Sequence, residues 1–358
     1  MLSIDPLRKP PDIDIKLGGS KSITNRSLIV AALAKGTSTL HGALFAEDTY
    51  AMIDCLRRLG IQIECDEVAK SIVVVGSSGH LRSTAETLWV RQSGTTARFI
   101  MPLAALSGGE IRIDGDPQIL NRPHQELFAA LQELGVLITF DEKENHLPAT
   151  INGSDLVAKE VFLNAEISSQ YVSALLLAAP CMPEDLIVSV EGKLVSESYL
   201  AMTLSVMRSF GAVIEEVDKN KFLVRSTGYI SHDYQIEADA STSSYFFAVA
   251  AMTKGRVKVE GLGRSSIQGD VQFVDILEEM GAEVSRSEEA IEVRGTSSLK
   301  GLSVSMESIS DTAPTLAVIA PSAETTTSVT DIGFISYKES NRIEAVVAEL
   351  QKLGIEAS

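Results

Sequence analysis

The chain has 358 residues, 45% of them hydrophobic and 22% charged, which is typical of a globular protein large enough for two domains. Its formal net charge of −17 argues against nucleic acid as a main partner. No apolar stretch reaches the roughly 18 residues of a membrane span, and the N-terminus has no signal-peptide core, so we expect a cytoplasmic protein that does not bind membranes. The histidines and cysteines lack metal-ligand spacing, which predicts no metal site.

Two series of sequence markers repeat along the chain with one period. Five helix-like segments are each closed by a glycine, and successive glycines lie 70 to 76 residues apart. These are Gly60, Gly135, Gly211, Gly281 and Gly354. Short clusters of small polar residues keep the same period and start at Ser20, Ser93, Ser168, Asp239 and Asp311. Two markers in step predict an architecture of repeated units, of which the sequence holds five.

The second unit shows what each unit contains. Residues 93–106 predict a largely apolar helix, and residues 108–116 alternate apolar and polar side chains as a strand does. Residues 121–134 predict an amphipathic second helix, and residues 136–140 predict another strand. The first helix of each unit is apolar nearly all round, so we expect these helices to be buried.

The small polar clusters stand where the buried helices should begin. Helix N-termini leave backbone N–H groups without partners and carry a partial positive charge. A single serine or aspartate there is better explained as an N-cap. Because five clusters occur in phase and several have a cation nearby, the pattern favours a cleft that binds phosphate.

The segment L-G-G-S-K-S-I-T-N-R-S at 17–27 carries the clearest signal for chemistry. Lys21 and Arg26 bracket a hydroxyl-rich helix start, and glycines allow close backbone approach. The spacing is not that of a P-loop. Arg122, in L-N-R-P-H, is a further cation in a helix-starting context.

The segment Y-K-E-S-N-R at 337–342 adds charges of both signs. Arg342 follows Lys338 by four residues, so we expect both to share one helix face with Glu339 adjacent. Together with Asp311, they predict a site built from fixed cations and two carboxylates.

These motifs resemble the EPSP synthase (3-phosphoshikimate 1-carboxyvinyltransferase) family of enolpyruvyl transferases along nearly the whole chain. The matching motifs are G-S-K-S-x-T-N-R at 19–26, S-G-T-T-A-R at 93–98, N-R-P at 121–123, I-S-S-Q-Y at 167–171, L-V-S-E-S-Y at 194–199, D-A-S-T-S-S-Y-F at 239–246, Q-G-D at 268–270, S-D-T-A at 310–313 and K-E-S-N-R at 338–342. They occur in the family's order and spacing.

The resemblance implies an α/β (α+β) fold of repeated βαβαββ units around buried helices, in two domains that close on a central cleft. Residues 19–236 would form one domain of three repeats. Residues 1–18 plus 237–358 would form the second, with repeats four and five. The family's sixth repeat is absent from this sequence, and we expect a truncated sequence.

The reaction implied by the resemblance transfers the enolpyruvyl group of phosphoenolpyruvate to the 5-hydroxyl of shikimate 3-phosphate and releases phosphate. It proceeds by addition and elimination through a tetrahedral intermediate, without a metal or an organic cofactor. The reaction belongs to the shikimate pathway, which leads to chorismate and the aromatic amino acids. We expect the chain to act as a monomer.

The family's site residues map onto this sequence motif by motif. The residues implied to bind shikimate 3-phosphate are Lys21, Ser22, Arg26, Ser168, Ser169, Gln170, Ser196, Tyr199, Asp311 and Lys338. The residues implied to bind phosphoenolpyruvate are Lys21, Gly94, Arg122, Gln170 and Arg342. The catalytic residues implied are Lys21, Asp311 and Glu339, with Asp311 acting on the 5-hydroxyl and Glu339 serving proton transfer with Lys21.

The sequence departs from the family in three ways. Gln92 stands where the family usually has asparagine. Phe334 stands where the family commonly has an asparagine that contacts shikimate 3-phosphate, and it cannot make that polar contact. The last repeat, with part of the phosphoenolpyruvate site, is missing.

Two other functions remain as alternatives. The first is a catalytically impaired fragment that binds shikimate 3-phosphate but has an incomplete phosphoenolpyruvate site. The second is the related UDP-N-acetylglucosamine enolpyruvyltransferase. That family has Lys-Asn where this chain has Lys21-Ser22, and it has a loop cysteine near the position of Arg122.

Overall fold

The computed structural model describes residues 5–157, 160–166 and 168–358. Residues 1–4 and 158–159 of the expected domain ranges, and Ile167 of the I-S-S-Q-Y motif, lie outside the described residues. The chain divides into two compact units. The first unit is Gly19–Ile236, and the second unit combines Met1–Gly18 with Glu237–Ser358.

Helices and strands alternate along the chain. The helices are α1 (Lys21–Leu33), α2 (Glu47–Arg58), α3 (Gly94–Leu106), α4 (Pro117–Leu120), α5 (Gln125–Glu133), α6 (Gln170–Ala178), α7 (Glu197–Ser209), α8 (Ala240–Thr253), α9 (Phe273–Glu279), α10 (Ala313–Ile319) and α11 (Arg342–Lys352). The strands are β1 (Asp12–Lys16), β2 (Ala34–Lys35), β3 (Thr37–His41), β4 (Gln62–Asp66), β5 (Ser71–Val75), β6 (Leu88–Trp89), β7 (Glu110–Asp114), β8 (Leu137–Phe140), β9 (Ala149–Asn152), β10 (Glu160–Asn164), β11 (Leu186–Glu191), β12 (Ile214–Asp218), β13 (Lys221–Val224), β14 (Tyr229–Ile230), β15 (Tyr234–Gln235), β16 (Arg256–Glu260), β17 (Glu283–Arg286), β18 (Ala290–Arg294), β19 (Ser303–Ser305) and β20 (Ser328–Thr330).

The first unit repeats one sheet topology three times. Its four-stranded sheets have the orders β15-β3-β5-β4, β6-β7-β9-β8 and β10-β11-β13-β12. In each sheet the first pair is parallel and the other two pairs are antiparallel. The helices α1, α3 and α6 are buried along nearly their whole length, as the sequence predicts. The prediction is wrong for α8 of the second unit, which packs only one face into the core and exposes Tyr245 and Val249 on the other.

The second unit uses the same topology once in full. Its four-stranded sheet has the order β1-β16-β18-β17, and β1 runs parallel to β16. Its hydrophobic core gathers α8, α9 and α10 against this sheet, around Phe247, Leu277, Ile291 and Leu316. The strands β19 and β20 pair in parallel as a separate two-stranded sheet.

The glycines that close the second helix of each sequence repeat adopt the predicted left-handed backbone. Their φ angles are 90° at Gly60, 87° at Gly135, 83° at Gly211, 111° at Gly281 and 78° at Gly354. A residue with a Cβ atom is strained in this region, so glycine is the natural closing residue. The periodic glycine pattern is therefore confirmed as a helix-ending signal.

The small polar clusters begin helices in four of the five sequence repeats, but the fifth repeat differs. The side chains of Ser20, Ser93 and Asp239 accept hydrogen bonds from the backbone N–H three residues later, as N-caps do. Ser168 accepts from the backbone N–H of Gln170 at the start of α6. Asp311 lies within a 3₁₀ turn, Glu307–Thr312, and α10 begins only after it. Within the described ranges, no helix is long and apolar enough to cross a membrane.

Candidate active site

The start of α1 is built around a buried arginine. The Arg26 side chain is 1% exposed, and its Nε donates to Thr203 Oγ1 at 2.8 Å. Its Nη1 donates to the backbone oxygen of Ser22 at 3.0 Å, and its Nη2 donates to that of Tyr199 at 3.4 Å. The structure thus brings together three residues that the sequence assigns to one ligand: Ser22, Arg26 and Tyr199.

The electrostatics of Arg26 favour an anionic ligand. Burial lowers the pKa of its guanidinium to about 10, and Tyr199 opposes part of that shift. The three acceptors named above are uncharged oxygens, and the guanidinium also lies 5.2 Å from the centroid of the Phe99 ring. A buried cation held by neutral groups is costly, so a nearby anion would be stabilised there.

Lys21, the first residue of α1, is paired with a carboxylate that the sequence analysis missed. Its Nζ lies 3.1 Å from Asp48 Oδ2, and both side chains are partly exposed. The backbone oxygen of Asp48 accepts a hydrogen bond from Thr96 Oγ1 at 3.1 Å, which joins the start of α2 to the start of α3. An acidic residue in the first turn of a helix is already explained by its favourable interaction with the helix dipole, so the sequence alone does not predict this pair.

Two arginines converge on the start of α3 at Gly94. A Cβ atom at Gly94 would lie 2.5 Å from Arg122 Nη1 and 3.3 Å from Arg98 Nη1, so any side chain there would displace the Arg122 guanidinium. Both arginines are nearly buried, at 7% exposure for Arg98 and 6% for Arg122. Arg98 Nη1 also donates to Gln170 Oε1 at 2.6 Å. Of the residues predicted to bind phosphoenolpyruvate, three therefore lie together: Gly94, Arg122 and Gln170.

Arg98 ends the S-G-T-T-A-R motif, but the sequence did not predict it as a site residue. Its guanidinium lies 5.2 Å from the centroid of the Tyr171 ring, and the Tyr171 hydroxyl donates to the backbone oxygen of Pro123 at 2.8 Å. Its position one helical turn after Gly94 is the signal that could have identified it, because residues four apart share a helix face.

His124 lies buried behind this arginine pair. Burial, followed by the charges of Arg98, His146 and Arg122, holds the pKa of His124 well below its usual range. Its ring packs edge-on against Phe128. The imidazole is therefore neutral near neutral pH, and Arg98 and Arg122 supply the positive charge of this region.

The remaining predicted residues of the first unit surround the starts of α6 and α7. Ser168 and Ser169 are 8% and 4% exposed at the start of α6, and Ser196 is 6% exposed just before α7. Ser196 adopts a left-handed backbone with φ 55° and ψ 48°. Such a conformation is uncommon for a residue other than glycine and often marks a functional position.

In the second unit, Arg342 joins the two predicted catalytic carboxylates. Its Nη1 donates to Asp311 Oδ1 at 2.8 Å, and its Nη2 donates to Glu339 Oε2 at 2.7 Å. Burial opposes ionisation of Arg342, but the charges of Asp311 and Glu339 outweigh it and raise its pKa. The structure thus brings together these three predicted residues.

Lys338 does not share a helix face with Arg342, so that prediction is wrong. Lys338 ends the 3₁₀ turn Gly333–Tyr337 in an extended conformation, and α11 begins at Arg342. The cause is Asn341, whose side chain accepts from the Glu344 N–H and starts the helix there. The Lys338 ammonium instead lies 5.9 Å from the centroid of the Phe334 ring.

Comparisons with known proteins agree on one family. The family described as EPSP synthase (3-phosphoshikimate 1-carboxyvinyltransferase) matches residues 9–358. A 3-phosphoshikimate 1-carboxyvinyltransferase of Trichormus variabilis is 42% identical over 355 residues, which are 99% of this chain and 83% of the relative. The chain belongs to the EPSP synthase family. It is therefore a transferase, and the resemblance read from its motifs is confirmed.

Solved structures confirm the mixed α/β fold. EPSP synthase from Acinetobacter baumannii superposes with a TM-score of 0.82 at 25% identity, covering 97% of this chain and 79% of that protein. The enolpyruvyl transferase NikO from Streptomyces tendae reaches a TM-score of 0.72 at 15% identity, covering 90% of this chain and 75% of that protein. At that identity the second likeness concerns the fold alone.

Proposed function

We propose that this chain transfers the enolpyruvyl group of phosphoenolpyruvate to the 5-hydroxyl of shikimate 3-phosphate, releasing phosphate. The observation that supports this most directly is the pair of nearly buried arginines at Gly94, Arg98 and Arg122, of which Arg98 also donates to Gln170. Two guanidinium groups beside a helix N-terminus are suited to an oxyanion such as a phosphate or a carboxylate.

Shikimate 3-phosphate is proposed to bind at the starts of α1, α6 and α7. The network that links Arg26, Ser22 and Tyr199 supports this assignment, since it presents a buried cation beside hydroxyl groups. The assigned residues in this unit are Lys21, Ser22, Arg26, Ser168, Ser169, Gln170, Ser196 and Tyr199. In the second unit, Asp311 and Lys338 are assigned to the same ligand.

Phosphoenolpyruvate is proposed to bind Gly94, Arg122, Gln170, Lys21 and Arg342. Arg122 lies beside Gly94, and Gln170 is linked to the same helix start through its hydrogen bond from Arg98. The cations would stabilise the charge of the phosphate and carboxylate as the tetrahedral intermediate forms. Removing one such donor from an active site typically lowers kcat by about 100- to 1,000-fold.

Proton transfer is proposed to involve Asp311, Glu339 and Lys21. The 5-hydroxyl must lose a proton as its oxygen attacks C2 of phosphoenolpyruvate, and C3 must gain one. In the elimination, C3 returns a proton and phosphate leaves. Asp311 is suited to the first role, while Glu339 with Lys21 serves C3. Arg342, held between both carboxylates, fixes their positions before substrate binds.

The test is release of phosphate that depends on both substrates, together with calorimetric binding of shikimate 3-phosphate. Lys21→Ala and Arg122→Ala should abolish turnover. The exposed pairs Lys219 with Glu197 and Arg208 with Glu216 offer matched controls, and Lys219→Ala and Arg208→Ala should leave turnover unchanged. Binding without phosphate release would favour the impaired fragment. Binding of neither ligand would overturn the proposal.

We also propose that the two compact units are the two domains of the family and that the chain is monomeric. The net charge of −17 supports the monomer, because like charges oppose self-association. Light scattering after size-exclusion chromatography should give the mass of one chain, and a mass of two chains would contradict it.

A further inference from the structure

Arg26 is held by three hydrogen-bond acceptors on two helices, α1 and α7. Its Nη1 acceptor, Ser22, lies one turn earlier on α1, whereas the acceptors of Nη2 and Nε belong to Tyr199 and Thr203 on α7. Two of these acceptors are backbone oxygens, which no substitution removes directly. Of the three acceptors, Thr203 uses a side-chain oxygen. A substitution at Thr203 can therefore change the orientation of the Arg26 guanidinium.

Thr203 is a buried hydroxyl with an unusually full set of partners. The residue is 0% exposed. Its Oγ1 accepts from Arg26 Nε at 2.8 Å, donates to the backbone oxygen of Tyr199 at 2.9 Å, and lies 2.9 Å from Ser173 Oγ on α6. A hydroxyl has one donor and two acceptor positions, and these contacts use all of them if Ser173 donates. Thr203 therefore joins α1, α6 and α7 at one atom.

The helix by itself does not require threonine at this position. Threonine is a poorer helix former than alanine or leucine, and a threonine that bonds the carbonyl four residues earlier tends to bend a helix. The neighbouring buried positions of α7, Met202 and Leu204, are apolar. The contact that sets Thr203 apart from them is the one with Arg26.

We propose that Thr203 is a positioning residue for shikimate 3-phosphate, because its hydroxyl fixes the Arg26 guanidinium in the orientation that receives the ligand. The proposal rests on the role given to Arg26 above. Without the hydroxyl, Nε would lose its acceptor in a side chain that is 1% exposed, and the guanidinium would turn towards another acceptor. The ligand would then meet a displaced cation.

The experiment compares Thr203→Val, which keeps the shape and removes the hydroxyl, with Thr203→Ser, which keeps the hydroxyl. Thr203→Val should raise KM for shikimate 3-phosphate about tenfold, as expected for one hydrogen bond to a charged group. The KM for phosphoenolpyruvate and kcat should change less than about twofold. Thr203→Ser should restore KM for shikimate 3-phosphate, and calorimetric Kd values should follow the same order.

A purely structural role predicts a different result. In that case Thr203→Val would lower Tm and leave both KM values unchanged. Ser173→Ala is the matched control, since it removes a hydroxyl from the same buried network without removing an acceptor from Arg26. It should lower Tm as Thr203→Val does and leave KM for shikimate 3-phosphate unchanged. An equal rise of KM in Ser173→Ala and Thr203→Val would overturn the proposal.

The Arg26→Met background separates this proposal from the assignment on which it rests. If Thr203 acts through Arg26, Thr203→Val should add less than about twofold to KM in that background. An additive effect would refute the positioning role while leaving Arg26 as a ligand. If Arg26→Met itself leaves the Kd of shikimate 3-phosphate unchanged, the assignment of Arg26 is wrong and the positioning role falls with it. Should Arg26→Met fail to fold, the valine, serine and Ser173→Ala results decide.

Discussion

The starts of α3 and α8 have the same kind of sequence but are surrounded by side chains of opposite charge. Each begins with a small polar cluster and a side chain that caps the helix, Ser93 at α3 and Asp239 at α8. At α3 the groups that surround the helix start are cations, Arg98 and Arg122. At α8 they are acidic, because Ser241 Oγ donates to a carboxylate oxygen of Asp270.

The polar groups at the start of α8 bind one another. Gln268 Oε1 accepts from the backbone N–H of Ala240 at 3.0 Å, and Gln268 Nε2 donates to Glu237 Oε2 at 2.9 Å. Asp239 and Asp270 add further carboxylates near the helix N-terminus, where negative charge is stabilised. The protein thus places carboxylates at the start of α8, whereas the start of α3 is surrounded by cations.

The difference shows what a phased polar cluster can predict. The pattern correctly locates a buried helix start, because capping is a local effect. It does not determine the sign of the charge around that start, which depends on residues far along the chain. The cations found near α1 and α3 are consistent with the prediction of phosphate-binding helix starts, whereas the carboxylates around α8 do not favour it there.

Removing a cation at α3 should have the largest effect. Arg98→Gln should raise KM for phosphoenolpyruvate by about 10- to 150-fold, since a hydrogen bond to a charged group contributes about 1.5–3 kcal/mol. Steady-state kinetics with each substrate varied in turn will measure it. A KM for phosphoenolpyruvate within twofold of the unsubstituted chain would contradict the cationic role.

A matched substitution at α8 tests whether the two helix starts differ in function. Asp270→Asn keeps the shape of the side chain and removes a charge that Ser241 contacts. We expect a lower Tm, because a buried polar network is disturbed, with KM for both substrates changed less than about twofold. A rise in KM as large as that of Arg98→Gln would show that the two helix starts do not differ in function.

Local signals explain how much of the fold could be predicted. In the second sequence repeat, the helices α3 and α5, the strands β7 and β8 and the left-handed closing glycine Gly135 follow from periodicity and capping within a few residues. The error at Lys338 had a local cause too, since the Asn341 cap takes precedence over the four-residue spacing to Arg342. There the two local signals conflicted.

Contacts between distant residues explain what could not be predicted. Arg98 and Gln170 lie 72 positions apart, and Arg26 and Thr203 lie 177 positions apart. No periodic pattern encodes such pairs, because they depend on how whole helices pack. The motifs identified most of the candidate side chains, but their partners, including Asp48 at Lys21, required the structure.

The buried histidine behind α3 should make stability depend on pH. The folded state keeps His124 neutral because burial, and then neighbouring charges that include Arg98 and Arg122, lower its pKa, whereas an unfolded histidine takes up a proton below a pH of about 6.5. The unfolded state then binds more protons, so stability is lost as pH falls through that value. The loss approaches about 1.4 kcal/mol per pH unit until the folded group also titrates.

Urea unfolding at pH 7.5 and 5.5 measures this dependence. His124→Met should lose less stability between the two pH values than the unsubstituted chain does. His80→Met, at an exposed histidine, is the control and should leave the pH dependence unchanged. Equal losses in all three proteins would show that the fold does not hold the pKa of His124 below its usual range.

The smallest effect is expected in the second unit, where an aromatic ring faces a cation. The Phe334 ring packs against the hydrophobic core and lies 5.9 Å from the Lys338 ammonium. Phe334→Leu keeps the apolar packing and removes the ring. A partly exposed cation–π contact contributes about 0.5–1 kcal/mol, so KM for shikimate 3-phosphate should rise about two- to fivefold with kcat unchanged. Phe334→Tyr retains the ring and should match the unsubstituted chain, whereas equal KM values for the leucine and tyrosine variants would show that the ring does not hold Lys338 for the ligand.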